Sequence, residues 1–206
     1  MPPAGGDQRG SGRAARMALG AFVTLVAVTL AGMGALGAPP ASAAGSAATG
    51  MVVWGNDAFS QGRVPISPSP ARAISTGVGY SLALRTDGTV VGWGRNFSGQ
   101  TRAPAGLTDV VGIAAGGYDN SVAVKADGTI VAWGDNSYGE RSAPGRKTHA
   151  TAVAAGYGYD LALTSDGTVI GWGADGAGQA SPPAGLTDVT AIAAGTAHSL
   201  ALRRDG

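Results

Sequence analysis

From Met51 onward, short apolar runs alternate with clusters of Gly, Asp, Asn and Pro, and no stretch keeps a hydrophobic period of 3.6 residues. Between Asp109 and Pro144 the runs read DVVGIAAGG, NSVAVKADG, TIVAWGDN and YGERSAP, each closed by turn-forming residues. That is the pattern of successive antiparallel strands. In SVAVKADGTIVAWG the pair Asp127-Gly128 separates two β-rich runs and predicts a tight hairpin in which positive φ is tolerated.

The pattern repeats. Trp54, Trp93, Trp133 and Trp172 stand 39, 40 and 39 residues apart, each followed by Gly. Asp87, Asp127, Asp166 and Asp205, each followed by Gly, keep the same phase at 40, 39 and 39. Units of this length with four strands and no helix have the size of a propeller blade, so the expected fold is an all-β propeller of four-stranded blades. The Trp ends the third strand, where its ring covers the junction between adjacent sheets and its indole N–H needs a partner, which a loop Asn or Gln supplies. All four Trp are read as structural.

Residues 50–206 span about four periods. They open with GMVVWG, the second half of a unit, and end with SLALRRDG, the first half. Joined head to tail, the two halves would complete one blade and close a small four-bladed ring; the alternative is a partial seven-bladed one.

The first 43 residues lie outside the period. Arg9, Arg13 and Arg16 precede an apolar run from Met17 to about Leu36, Pro39-Pro40 breaks it, and Ala41-Ser42-Ala43 supplies small residues for a peptidase. This predicts an export signal over 1–43, cleaved after Ala43, with 44–49 as a short linker; the alternative is a membrane anchor over 17–36. Without the leader, 11 basic residues face 12 acidic ones, which leaves no basic stripe for nucleic acid. The absence of Cys means that stability comes from burial and sheet hydrogen bonds rather than disulfides.

The strings AAGGYDNSVAVKADGTIVAWGDNSYGE, AAGYGYDLALTSDGTVIGWGADGAGQ and GYSLALRTDGTVVGWGRNFSGQ resemble the regulator of chromosome condensation repeat. They look closest to its secreted bacterial branch, which includes the β-lactamase inhibitory protein of the second type. The resemblance covers 50–206 and implies a propeller, usually of seven blades, whose function lives in loops on one face.

Two sets of loops vary between constant flanks. The triplets after the first strand are Val78-Gly79-Tyr80, Tyr118-Asp119-Asn120, Tyr157-Gly158-Tyr159 and Thr196-Ala197-His198, and a second set follows each Trp-Gly. Tyr80, Tyr118, Asp119, Tyr157, Tyr159, His198, Phe59, Phe97 and Tyr138 are therefore the candidate binding residues, since aromatic side chains carry much interface energy. The alternative for these side chains is that they pack over the blade ends or line the central channel. The middle triplet positions Gly79, Asp119, Gly158 and Ala197 hold no aromatic, a departure from the aromatic-rich face of the inhibitor branch.

Catalytic chemistry is thinly supplied. There are two His, one Glu and no Cys, and several of the acids sit in hairpin turns. Ser81 in GYSLA begins a strand, not the strand-to-helix turn of a nucleophile elbow. His149 and His198 have no neighbouring ligand cluster, the run Asp135–Glu140 lacks calcium-loop spacing, and no metal or cofactor is expected. The expected role is an exported, non-catalytic propeller that binds an extracellular or envelope protein, with no nucleic acid and, after cleavage, no membrane. The alternatives are a β-lactamase-inhibitor-like protein, a propeller enzyme acting on envelope carbohydrate, and a truncated fragment without independent function.

Overall fold

The structure is a computed structural model and describes residues 51–65, 69–145 and 148–206. The expected leader, the linker and Gly50 lie outside the described residues. The described residues form eleven strands and no helix. The first unit contributes β1 (Ala71–Thr76), β2 (Tyr80–Arg85) and β3 (Val90–Gly94); the second β4 (Val110–Ala115), β5 (Asn120–Lys125) and β6 (Ile130–Gly134). The third contributes β7 (Ala150–Ala155), β8 (Tyr159–Thr164) and β9 (Val169–Gly173), and the last β10 (Val189–Ala194) and β11 (Ser199–Arg203).

Each unit is an antiparallel meander, β1-β2-β3, β4-β5-β6, β7-β8-β9 and β10-β11. The hairpin loops have three residues: Arg85 N–H donates to Thr89 O and Gly88 N–H to Arg85 O, with Gly88 at φ 79°. That is the Gly position of a three-residue hairpin. Asp87 accepts from Thr89 N–H and Oγ, and Asp127 and Asp166 accept from Thr129 and Thr168 N–H in the same way. These turns also dock the next sheet, because Gly88, Gly128 and Gly167 offer their carbonyls to the N–H of Val110, Ala150 and Val189.

Successive first strands contact one another, β1 with β4, β4 with β7 and β7 with β10, and so run along the inner side of an arc. The core is not inside any one sheet but between sheets. Tyr80, Leu82 and Leu84 of the first sheet pack with Val110, Ala115, Ala123 and Trp133 of the second, and equivalent layers join the second to the third and the third to the fourth. Middle strands are thereby covered on both faces, which is why SLAL and SVAV runs are apolar at nearly every position.

Three expectations need correction. The four-stranded blade is a three-stranded sheet: residues 101–104 run close to β3 but form no ladder with it. A Cβ on Gly92 would sit 2.5 Å from Thr101 O, and Pro104, like Pro144 and Pro182-Pro183 in later units, has no N–H to give. Second, the half units do not share a blade. Residues 51–55 form no strand, and β11 pairs with β10 alone. Residues 56–62 are docked on the first sheet, which holds 51–55 at the end of the arc away from β11. Third, Trp54 covers no junction; it is 75 % exposed.

Candidate protein-binding face

The hairpins lie on one side of the arc, so the loops after each first strand and those after each Trp-Gly share the opposite side. Main-chain bonds join the two sets: the N–H of Arg95, Asp135 and Ala174 donate to the carbonyls of Gly79, Asp119 and Gly158.

Two side chains shape each post-Trp loop. Asp57, Asn96, Asn136 and Asp175 accept from the N–H five residues on. Gln61, Gln100, Glu140 and Gln179 accept from the N–H two residues back. The main-chain carbonyls of Gln61, Gln100 and Glu140 then receive the indole N–H of Trp93, Trp133 and Trp172, at 2.8, 2.8 and 2.7 Å. The indole partner is thus a backbone carbonyl of the preceding unit's loop rather than a side chain. For Trp54 the same offset of 32 or 33 residues points to positions 21 and 22, in the apolar run that lies outside the repeat.

On this framework the structure gathers five of the predicted aromatics into two adjacent groups. Tyr118 meets Tyr138 and Tyr157 edge-on, with ring centroids 5.5 and 4.9 Å apart. Phe59 and Phe97 meet at 6.1 Å, and the Arg95 guanidinium lies over both rings, 5.8 and 5.0 Å from their centroids. Arg95 links the groups through an ion pair to Asp119 at 3.0 Å. Asp119 is also held by Gln100 Nε2 at 2.7 Å. A cleft of about 350 Å³ opens between the groups, lined among others by Val78, Arg95, Tyr118, Asp119 and Asp135.

The electrostatics are mixed. Burial raises the Asp119 carboxyl above its ordinary value, and the Arg95 charge opposes that shift. Tyr118 is raised as well, chiefly by the neighbouring Tyr138 phenol, with desolvation and Asp135 adding to it. Phe97 is 77 % exposed, and Phe59, Tyr138 and Tyr157 also face solvent.

The remaining predicted residues do not join this surface. Tyr80 and Tyr159 are the buried first residues of β2 and β8, and their hydroxyls donate to Asn120 O and His198 O in the next sheet. They are inter-sheet struts, not loop-face contacts. His198 occupies the same position before β11, and its ring lies over Gly195. His149 sits at φ 48° where the second and fourth units have Asp109 and Asp188, a turn position. Arg95, which opens the variable loop after Trp93-Gly94 but is not among the candidate binding residues, is the charge between the two aromatic groups. Asn96 latches its own loop by accepting from the Thr101 N–H. Among the described residues no group of three or more His, Cys, Asp or Glu is placed to hold a metal ion.

The profile of the regulator of chromosome condensation (RCC1) repeat matches residues 71–100, 110–140 and 150–179. No curated protein sequence matches the chain. Among solved structures, RCC1 (Prp20p) from Saccharomyces cerevisiae is similar at 20 % identity and a TM-score of 0.61, over 69 % of this chain and 45 % of that one. The same yeast protein bound to Kap60 gives 21 % identity and a TM-score of 0.60, over 69 % and 44 %. The ectodomain of the Physcomitrella patens receptor kinase CR4 is 24 % identical with a TM-score of 0.63, over 74 % and 43 %. This chain therefore spans less than half the length of these similar structures. Three segments of the chain thus match the regulator of chromosome condensation repeat, one on each complete three-stranded sheet, and the fold is of the β-propeller type.

Proposed function

We propose that this chain is an exported, non-catalytic binding protein that takes another protein on the face formed by Phe59, Arg95, Phe97, Tyr118, Asp119, Tyr138 and Tyr157. The observation that carries the reading is the pair of exposed aromatic groups held at fixed edge-on geometry around the Arg95–Asp119 ion pair. Rigid aromatic side chains lose little entropy on contact, and with a central Arg they have the composition of interface hot spots. The bond network beneath them leaves the loops little reorganisation to undergo when a partner arrives. An enzyme reading is disfavoured by the placement of the acids. Asp119 is engaged by Arg95 and Gln100 on the face, while Asp160 is enclosed between sheets and lines no part of the cleft.

Export and the likeness to the secreted bacterial branch belong to the same proposal and rest on the leader pattern and the repeat strings. A β-lactamase-inhibitor-like activity is the second reading, favoured by the Tyr118–Tyr138–Tyr157 cluster. The test is affinity capture of extracellular proteins on the purified chain, with Tyr118→Ala and Tyr138→Ala alongside. One partner retained by the parent and weakened at least tenfold by each variant supports the face. Equal retention by all three overturns it. Adding a purified class A β-lactamase to the same assay decides the second reading.

A further inference from the structure

One joint between sheets departs from the others in three coordinated positions. Between the first and second sheets, the Tyr80 hydroxyl reaches Asn120 O and Ser121 Oγ, and Ser121 Oγ donates to Gln100 O. Between the third and fourth, Tyr159 reaches His198 O and Ser199 Oγ, and Ser199 donates to Gln179 O. Between the second and third, the Tyr, Ser and Gln positions hold Asn120, Asp160 and Glu140. Asn120 Nδ2 donates to Asp160 Oδ1 at 2.8 Å. Asp160 and Glu140 are both 0 % exposed and Asn120 is 1 % exposed.

Asp160 Oδ2, Glu140 Oε1 and Asn120 Oδ1 are all buried without a hydrogen-bond partner. Glu140 Oε1 lies 3.5 Å from where a Cβ of Gly158, two residues before Asp160 on the same chain segment, would stand. Glu140 Oε2 is already taken by the Tyr138 N–H. Two enclosed carboxylates with no countercharge are about the costliest arrangement a core can hold. The ion pairs among the described residues, Arg95–Asp119 and Arg203–Asp205, involve neither acid. A hard cation would need roughly six or more oxygen ligands. The joint offers three unpartnered side-chain oxygens, whereas a single proton needs only the two carboxyl groups.

We propose that Asp160 and Glu140 form an internal proton-binding site: Asp160 carries a proton on Oδ2 and donates it to Glu140 Oε1, so that the second and third sheets are joined by a bond that fails as pH rises. The groups facing Asp160 are Glu140 from the loop after β6, Asn120 from β5, Tyr80 from β2 and its own neighbour Tyr159. Burial, with Glu140 adding to it, pushes the Asp160 carboxyl well above the usual carboxylate range, against the Asn120 hydrogen bond. Burial likewise raises both phenols, so they stay neutral across the working range. A group raised on folding gives stability that is complete below its unfolded value, 3.8 here, and lost as pH rises through its folded value. This joint therefore weakens as pH rises above about 3.8, the reverse of an ordinary surface carboxylate.

The experiment is denaturant unfolding of the chain at successive pH values, beside Asp160→Asn and the double variant Glu140→Gln/Asp160→Ser. The double variant restores the Gln and Ser of the flanking joints, so a folded product is expected. The parent should lose up to about tenfold in its folding constant per pH unit above the onset, and both variants should show a flat profile over that range. A carboxylic-acid C=O stretch should persist in the parent's infrared spectrum at pH 7 and vanish in Asp160→Asn. That reading needs no equilibrium unfolding, and a partner captured or missed on the loop face bears on neither result. Parallel profiles in parent and variants, or no acid stretch, overturn the proposal. So does stabilisation of the parent alone by millimolar calcium, which would make the joint a cation site.

Discussion

Asp119 stands at φ 56° where the flanking units have Gly79 and Gly158 at 77° and 78°. A non-glycine residue in this region carries strain of order 1 kcal/mol or more, which the Arg95 ion pair and the Gln100 hydrogen bond offset. Asp119→Ala keeps the strain and loses both contacts, so we expect a loss of about 2–3 kcal/mol in urea unfolding. Asp119→Gly removes the strain as well and should cost about 1 kcal/mol less. The repeat spacing alone marks this place as different. The one 40-residue spacing in each series contains the extra residue that makes the second unit's loop Gly116-Gly117-Tyr118-Asp119, and Gly117 N–H uses it to reach Gly156 O. Tyr80 and Tyr159 were legible too, since with strand periodicity Tyr80 shares a face with Leu82 and Leu84. Starting the strand at Ser81 placed that Tyr in the loop and hid it.

At the scale of elements, the indole bond is the link between one unit and the loop before it. Trp133→Phe removes the donor to Gln100 O while Ser121 Oγ still reaches that carbonyl, so the expected cost is about 1 kcal/mol. Trp54→Phe should stay within about 0.5 kcal/mol, which the same unfolding series measures. The third strand offers a second comparison. Gly92→Ala and Gly171→Ala drive a methyl into Thr101 O and Ala180 O, and about 1–3 kcal/mol should be lost; the second unit already has Ala132 at this place. Strand pairing and hairpin positions were readable because period-2 burial and Asp-Gly turns are local signals. The missing fourth ladder was not, since it depends on how closely a Pro-containing return segment can approach a glycine on its neighbour.

For the whole molecule, charge and pH act in two directions. Hydrogen bonds from their neighbours, first Thr89, Thr164 and Ser181, hold Asp87, Asp166 and Asp175 below the ordinary value of 3.8. Groups lowered on folding lend stability above that value and lose it as pH falls through their folded values, so these turns weaken only below about 3.8, whereas the Asp160 joint weakens as pH rises above it. Circular dichroism melts from pH 3 to 9 should therefore show a stability maximum on the acid side of neutrality. The arc and its repeat were legible from the chain alone, because two markers share one phase. The burial of β11's counterparts and the exposure of β11 itself were not, because they depend on whether a further sheet lies alongside.

Because the indole N–H groups of Trp93, Trp133 and Trp172 reach back one unit and the carbonyls of Gly88, Gly128 and Gly167 reach forward one unit, the smallest interchangeable piece is a length of chain rather than a sheet. Removing residues 89–128 would join Gly88 to Thr129, present Trp133 with the Gln61 carbonyl and hand Ala150 the carbonyl of Gly88. Gene segments of one period can thus be lost or duplicated at in-phase breakpoints with the indole and hairpin-carbonyl bonds re-formed, and each such event removes or adds one pair of variable loops.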